Sequence, residues 1–134
     1  MKWKIALQTE IRDFEPKTAS ANRLKGKNEL KNALIKKIGK KHQEIVKLVI
    51  GREVFIDVCF YLYLSEKPGS AKKDLDNLLK IVLDVLSKNM VNGQGKEPGL
   101  GLLKDDSYVF CINCEKKIVN NPEKSGLDLK ISYR

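Results

Sequence analysis

Four acidic side chains and a lysine in the second half of the chain have the types and spacing used in metal-dependent phosphodiester chemistry. Asp74 and Asp76 flank a leucine where a polar loop gives way to a strongly helical run, and Lys80 follows Asp76 by one helical turn. A second acidic pair, Asp105 and Asp106, precedes a later apolar stretch. Because like charges this close together cost free energy unless a cation neutralises them, the pattern requires an explanation.

Hydrolysis of a phosphodiester needs an activated water and stabilisation of the charge that develops on the phosphate and the leaving oxygen. Mg²⁺ supplies both, and it prefers oxygen ligands while keeping several of its own waters. The sequence predicts that a helix start carrying Asp74 and Asp76 meets a strand start carrying Asp106, so that the three aspartates ligate the metal. Lys80 would stabilise phosphate charge. These four residues are the predicted catalytic residues.

A structural role is an alternative explanation for part of this cluster. Asp is common at helix N-caps, where its carboxylate accepts a hydrogen bond from a free backbone N–H of the first turn. Asp74 stands where the helix is predicted to begin. Capping does not account for Asp76 two positions later, or for Lys72 and Lys73 immediately before the cluster.

The positive charge of the chain is concentrated in its first part. The net charge is +9; residues 1–52 carry 14 Lys and Arg against 5 Asp and Glu, and residues 53–134 carry 12 of each. A basic surface that recruits a polyanion beside an acidic metal centre would produce this division. A lysine-rich helix that is simply solvated would produce it as well. The candidates for phosphate contacts are Lys72 and Lys73, followed by Lys17, Arg23 and Lys25.

Hydrophobic periodicity predicts a single α+β domain over residues 1–134, with a small mixed β-sheet and two main helices in the order β-α-β-α-β-β. The predicted strands are Trp3–Thr9, Val54–Leu64, Tyr108–Ile118 and Leu127–Tyr133, the last two forming a hairpin with a turn around residues 120–122. The predicted helices run from an N-cap at Asn28 to Gly51 and from Asp74 to about Asn89. Residues 68–70 are expected to form a turn, and Asn92–Gly101 a flexible loop.

The composition argues against several classes of protein. No apolar run approaches the length that crosses a bilayer, and the N-terminus has no signal-peptide core, so we expect a cytoplasmic protein without membrane contacts. The three cysteines form an odd set, which argues against a disulfide framework. Cys111 and Cys114 have C-x-x-C spacing, but a strand directs positions three apart to opposite faces, which argues against a zinc site.

The acidic cluster resembles the signature of RusA-type Holliday-junction resolvases over roughly residues 54–133. The matching stretches are Asp74-Leu75-Asp76-Asn77-Leu78-Leu79-Lys80, Leu83-Asp84-Val85-Leu86 and Asp105-Asp106-Ser107-Tyr108-Val109. The resemblance implies a homodimeric, Mg²⁺-dependent endonuclease, with Mn²⁺ as a substitute, that cuts four-way DNA junctions by paired nicks. It assigns metal-ligating roles to Asp74, Asp76 and the second residue of the later pair, Asp106, and an essential supporting role to Lys80. Lys116 falls where that family has a lysine, and it is a further candidate for nucleic-acid binding.

Three other functions remain open from the sequence. The chain could be a noncatalytic nucleic-acid-binding domain in which the basic helix makes the contacts and the carboxylates are caps and solvated charges. It could be a structural or interaction protein with a lysine-rich surface, in which case DNA affinity would be negligible even at low salt. It could also be a nuclease of the same type that acts on flaps, forks or RNA-containing branches.

Overall fold

The computed structural model describes residues 2–18, 23–63, 73–92 and 95–134. Its strands are β1 Lys4–Arg12, β2 Val54–Tyr63, β3 Asn89–Asn92, β4 Gly95–Pro98, β5 Val109–Val119 and β6 Gly126–Tyr133. Its α-helices are α1 Arg23–Ile38, α2 His42–Val49 and α3 Leu75–Leu86. Among the described helices, none is long and apolar enough to cross a membrane.

Four strands form a mixed sheet in the order β1-β6-β2-β5. Strand β6 is antiparallel to both of its neighbours, and β5 is parallel to β2. The parallel pair requires a crossover connection, which here contains α3 and the small β3–β4 hairpin. The α+β class and the β-α-β-α-β-β order of the main elements are therefore confirmed.

The predicted hairpin between the last two strands is wrong, because β6 lies between β1 and β2 while β5 forms an edge. The turn predicted at residues 120–122 exists, and Asn121 accepts a hydrogen bond there from the backbone N–H of Glu123 at 2.9 Å. The chain then enters β6 at Gly126, where φ is 147° and an added Cβ would lie 1.8 Å from the carbonyl oxygen of Ile11. That close approach secures β6 against β1 and not against β5.

Strand β2 is the centre of the core. Its alternate residues, from Val54 to Leu62, are at most 2 % exposed, and they belong to one apolar cluster with residues of α1 and α3, such as Leu34 and Leu78. The opposite face of the sheet carries polar groups, among them Asp57, which lies 3.8 Å from Lys130 of β6. The helices therefore cover one face of the sheet.

The first helix differs from its prediction at both ends. It begins at Arg23, so Asn28 lies within it and does not cap it. Lys27, 2 % exposed, is buried in this early part and its ammonium lies 2.9 Å from a carboxylate oxygen of Asp84 on α3. This tertiary contact accounts for helix in a stretch that is polar in sequence. At Gly39, φ is +57° and the helix is interrupted, so the predicted single helix is two.

The prediction of a flexible loop at Asn92–Gly101 is wrong. Strand β3 pairs with β4 across this stretch, and the residues that follow pack onto the end of α3. The backbone N–H groups of Leu100 and Leu102 donate to the carbonyls of Val85 and Leu86 at 2.8 and 2.9 Å, and both leucine side chains are buried. These hydrogen bonds hold the end of α3 in place. The turn predicted at residues 68–70 lies outside the described residues.

Candidate functional site

Helix α3 runs antiparallel to β5, and contacts at its two ends establish this direction. At the start of α3, the Lys116 ammonium of β5 donates to the backbone carbonyl of Lys73 at 3.0 Å. At the end of α3, the backbone N–H of Leu103 donates to the carbonyl of Leu86 at 3.1 Å, a few residues before β5 begins. The start of α3 therefore lies beside the end of β5, and the end of α3 lies beside its beginning.

Asp74 and Asp76 stand at the exposed start of α3. Asp74 occupies the N-cap position, with φ −71° and ψ 137°, but its side chain makes no capping hydrogen bond. Asp76 lies in the first turn and is exposed. Within the described parts of the chain, neither carboxylate has a hydrogen-bond or ion-pair partner. The capping explanation for Asp74 is therefore not supported, because its side chain makes no capping hydrogen bond. As far as the described residues show, both carboxylates are available to a ligand.

Lys80 is exposed on the next turn of the same helix face. Positions four apart are neighbours on a helix surface, so Asp76, Lys80 and Asp84 form one row along α3. Lys80 has no ion-pair or hydrogen-bond partner among the described residues, whereas Asp84 is paired with Lys27. An unpaired ammonium beside unpaired carboxylates suits a site that receives a charged ligand.

The two residues of the later acidic pair, Asp105 and Asp106, have different surroundings. Asp105 accepts hydrogen bonds from the backbone N–H of Ser107, at 2.8 Å, and from its hydroxyl, and these bonds lower the Asp105 pKa. Asp106 lies in the 3-10 turn that precedes β5 and caps nothing. Burial, and then the nearby carboxylates of Asp84 and Asp105, raise the pKa of Asp106. Asp105 therefore has a structural role, and Asp106 is the carboxylate held among like charges.

The structure does not bring the three predicted ligands together. The described residues contain no group of three or more His, Cys, Asp or Glu side chains that could hold a metal ion. The α3 carboxylate whose charge acts on Asp106 is Asp84, and Asp84 lies eight residues after Asp76, about 12 Å further along the helix axis. Because α3 and β5 are antiparallel, Asp106 lies near the end of α3, and the Asp74–Asp76 pair lies at the other end.

Two of the candidate phosphate-binding lysines, Lys73 and Lys17, make ion pairs and hydrogen bonds within the protein. Lys73 donates to Glu15 at 3.0 Å and to the Pro16 carbonyl at 2.7 Å, and Lys17 lies 3.1 Å from the same Glu15 carboxylate. Lys73 first, and then Lys17, lower the pKa of Glu15 against the effect of burial. Together with the Lys116 contact, this network fastens residues 15–17 to the start of α3.

The remaining candidates differ in what the structure describes. Lys25 is 69 % exposed and lies 4.0 Å from Glu29, which leaves its ammonium accessible to solvent. Lys72 is outside the described ranges, and Arg23 is described in its backbone only.

The sequence reasoning missed Glu15 and Lys27. Neither contact with the α3 region has a local signal, because Glu15 reaches Lys73 and Lys27 reaches Asp84, each more than 50 positions away.

Comparison with known protein families, with curated proteins and with solved structures finds no match. The resemblance to junction resolvases therefore stays a prediction from the sequence motifs. The interpretation of the site depends on its own geometry.

The carboxylates at the start of α3 suit an open Mg²⁺ site, in which the protein supplies few of the ligands. In proteins Mg²⁺ is commonly held by one or two carboxylates, with waters and substrate phosphate oxygens filling the remaining positions. Asp74 and Asp76, exposed and unpartnered in the described structure, fit such an open site. They do not form a three-carboxylate cage with Asp106.

We expect Asp106→Asn to stabilise the fold at neutral pH. The raised pKa means that the folded state binds the proton more tightly than the unfolded chain, so ionised Asp106 destabilises the fold. This penalty is full above the raised pKa and is lost as the pH falls below the ordinary value of 3.8. Thermal unfolding followed by circular dichroism should show a Tm increase of about 2 °C at pH 7. At pH 3 the variant and the parent should coincide.

The neighbouring residue supplies a control of opposite sign. The hydrogen bonds from Ser107 lower the pKa of Asp105. Ionised Asp105 therefore stabilises the fold at pH values above the ordinary pKa of an aspartate. Asp105→Asn should therefore lower the Tm at pH 7. A decrease of the Tm at pH 7 for Asp106→Asn would contradict the like-charge environment assigned to that carboxylate.

Proposed function

We propose that this protein is a metal-dependent endonuclease that cleaves branched DNA, with four-way junctions as its substrate. The observation that carries the proposal is the start of α3, where Asp74, Asp76 and Lys80 are exposed and have no partner in the described structure. Three charged groups at the start of a rigid helix, which the described part of the fold does not use, are available for a ligand. A divalent cation with a phosphate satisfies both signs of charge at once.

In the proposed reaction, the residues at the start of α3 have two roles: metal binding and stabilisation of phosphate charge. Asp74 and Asp76 would hold Mg²⁺ or Mn²⁺, which supplies an activated water and neutralises phosphate charge. Lys80, one turn further on, places a positive charge where charge develops on the phosphate oxygens. The role of Asp106 as a third ligand stays a prediction from the sequence, although this carboxylate lies near Asp84 and not with Asp74 and Asp76.

The first third of the chain offers a surface for the DNA backbone. The exposed lysines of α1, α2 and the turn between them, none with a described ion pair, are Lys36, Lys37, Lys40, Lys41 and Lys47. Lysines that contact phosphates position a nucleic acid without reading its sequence, and their binding weakens as salt rises. This surface also supports a second candidate function, a nucleic-acid-binding domain without catalysis, and cleavage assays separate the two.

Cleavage of a synthetic four-way junction with Mg²⁺ tests the proposed function. Asp76→Asn should reduce the cleavage rate at least about 100-fold, since it removes a metal ligand. Junction binding measured in EDTA should stay within about twofold, because the phosphate contacts remain. The matched control is Asp57→Asn, which makes the same chemical change on the opposite face of the sheet and should cleave normally.

The outcomes of this assay distinguish the candidate functions. Binding without metal-dependent cleavage by the parent protein would favour the noncatalytic domain. Undiminished cleavage by Asp76→Asn would remove the proposed site. Linear duplex, flap and fork substrates of equal length belong in the same assay, and equal cleavage of all of them would contradict a preference for four-way junctions.

Glu15→Gln should strengthen DNA binding. The Glu15 carboxylate neutralises two lysines, Lys73 and Lys17, beside the start of α3. Its removal frees their charge for phosphates, so we expect affinity to rise about threefold at low salt and the slope of log K against log salt to steepen by about 1. The control is Glu44→Gln on α2, which changes the net charge equally at an exposed carboxylate with no described partner. Equal gains for both variants would show that only net charge matters.

A further inference from the structure

One end of the sheet carries aromatic rings and cations side by side. Strands β2 and β5 begin there and β6 ends there, because Val54 pairs with Val109 on one side and with Tyr133 on the other. The chain enters β2 two residues after Arg52, and it enters β5 through the 3-10 turn that contains Tyr108. We define the rim of the sheet as the surface at this end; its residues are Arg52, Lys104, Tyr108, Phe110 and Tyr133.

Two aromatic rings of the rim hold two cations. The guanidinium carbon of Arg52 lies 5.5 Å from the ring centroid of Tyr133, and the ammonium of Lys104 lies 5.8 Å from that of Tyr108. Both distances are within the range of cation–π attraction. The two cations are also neighbours, because the Lys104 ammonium would lie 3.7 Å from a Cβ added at Gly51, the residue before Arg52.

These two cations are not neutralised by carboxylates. Both side chains are exposed, and neither has an ion pair in the described structure. Arg12 on β1 shows the contrast, since it lies over the ring of Tyr61 but is also paired with Asp128 at 2.7 Å. An aromatic ring orients a cation without cancelling its charge. Arg52 and Lys104 are therefore held in place and remain available to an anion.

The carboxylates beside the rim have contacts of their own. Glu53 lies 3.4 Å from Arg134, and Asp105 accepts hydrogen bonds within its own turn. Asp106 lies near Asp84 of α3. The rim itself contains no acidic residue and two basic ones, so its own charge is +2.

Phe110 supplies an open ring beside these cations. Val54 pairs with Val109 and Phe55 pairs with Cys111, so Phe110 is the extra residue of a β-bulge. Its side chain is 59 % exposed and has no ring or cation contact in the described structure. Shielding of the sheet edge accounts for a bulge but not for an exposed phenylalanine. Exposed rings next to exposed cations are the combination that binds unpaired bases and their phosphates.

We propose that the rim holds an unpaired segment of a DNA strand, with one base stacked on Phe110 and phosphates at Arg52 and Lys104. Stacking on a side chain requires an unpaired base, since the bases of a duplex already stack on their neighbours. The rim continues the basic surface of the helices, because Arg52 follows Lys47 of α2 by five residues. The choice of DNA rests on the proposed function, whereas the stacking does not require cleavage.

The rim and the proposed metal site lie at different ends of α3. The rim lies beside the beginning of β5, which is next to the end of α3, and Asp74 and Asp76 lie at the start of the helix. The 12 residues of α3 separate these ends by about 18 Å. Rim variants therefore leave the proposed metal ligands and Lys80 unchanged.

Binding of a fluorescent 12-nucleotide oligothymidylate, measured by anisotropy in EDTA, tests the stacking. Phe110→Leu keeps an apolar side chain but removes the ring, so affinity for the single strand should fall at least about fivefold. Phe110→Trp should retain the affinity. Binding of a duplex of equal length should stay within about twofold in both variants. The matched control is Tyr63→Leu, which removes a ring that is 41 % exposed at the opposite end of β2.

Salt dependence tests the phosphate contacts. Arg52→Gln and Lys104→Gln should each reduce the slope of log K against log salt by about 0.7 for the single strand, whereas Phe110→Leu should leave the slope unchanged. The control is Lys124→Gln, which makes the same change of net charge at an exposed lysine before the start of β6. An equal reduction in this control would show that only net charge matters and would overturn the rim.

The remaining outcomes separate the rim from the nuclease. Equal losses for single strand and duplex in Phe110→Leu, or an equal loss in Tyr63→Leu, would overturn the stacking. A protein that cleaves branched DNA but does not bind the single strand would overturn the rim alone. A protein that binds the single strand as described but shows no metal-dependent cleavage would overturn the nuclease alone.

Discussion

The structure depends on the burial of one stripe of α3 against β2. Leu78, Val85 and Leu86 are fully buried in the same core as Ile56 and its neighbours. An α-helix has 3.6 residues per turn, so residues on opposite sides of it alternate along the sequence. Burial of this stripe therefore places the row of Asp76, Lys80 and Asp84 at the surface. Most of the helical stability comes from that packing and not from intrinsic propensity. The same burial makes the row rigid, which a site for a metal and a phosphate requires.

Local pattern was sufficient to predict some of the fold. The alternation from Val54 to Leu62 predicted the central strand, and the leucine spacing after Asp74 predicted α3, because each pattern is repeated over a whole element. The partners of the last two strands could not be predicted, since pairing is decided by contacts such as that of Gly126 with Ile11, more than 100 positions away. The order of elements was correct although the hairpin was wrong.

Tertiary contacts also account for the other differences from the sequence prediction. The helical start at Arg23 depends on the ion pair of Lys27 with Asp84, which no local motif indicates. The glycines of the Asn92–Gly101 stretch suggested flexibility, yet the hydrogen bonds of Leu100 and Leu102 with α3 order its end. For the candidate site, the sequence predicted which residues to consider but not the distances between them: Asp106 comes to Asp84 because α3 and β5 are antiparallel, a direction the motif does not contain.

The central claim is that the start of α3 is an open, two-carboxylate metal site. Mn²⁺ accepts the oxygen ligands that Mg²⁺ prefers, and its unpaired electrons broaden nearby amide signals in ¹⁵N-labelled protein. Titration of substoichiometric Mn²⁺ should first broaden the amides of residues 73–77, saturably, and the effect should disappear in Asp76→Asn. Broadening centred on the opposite face of the sheet around Asp57, or spread evenly over all acidic residues, would contradict the account.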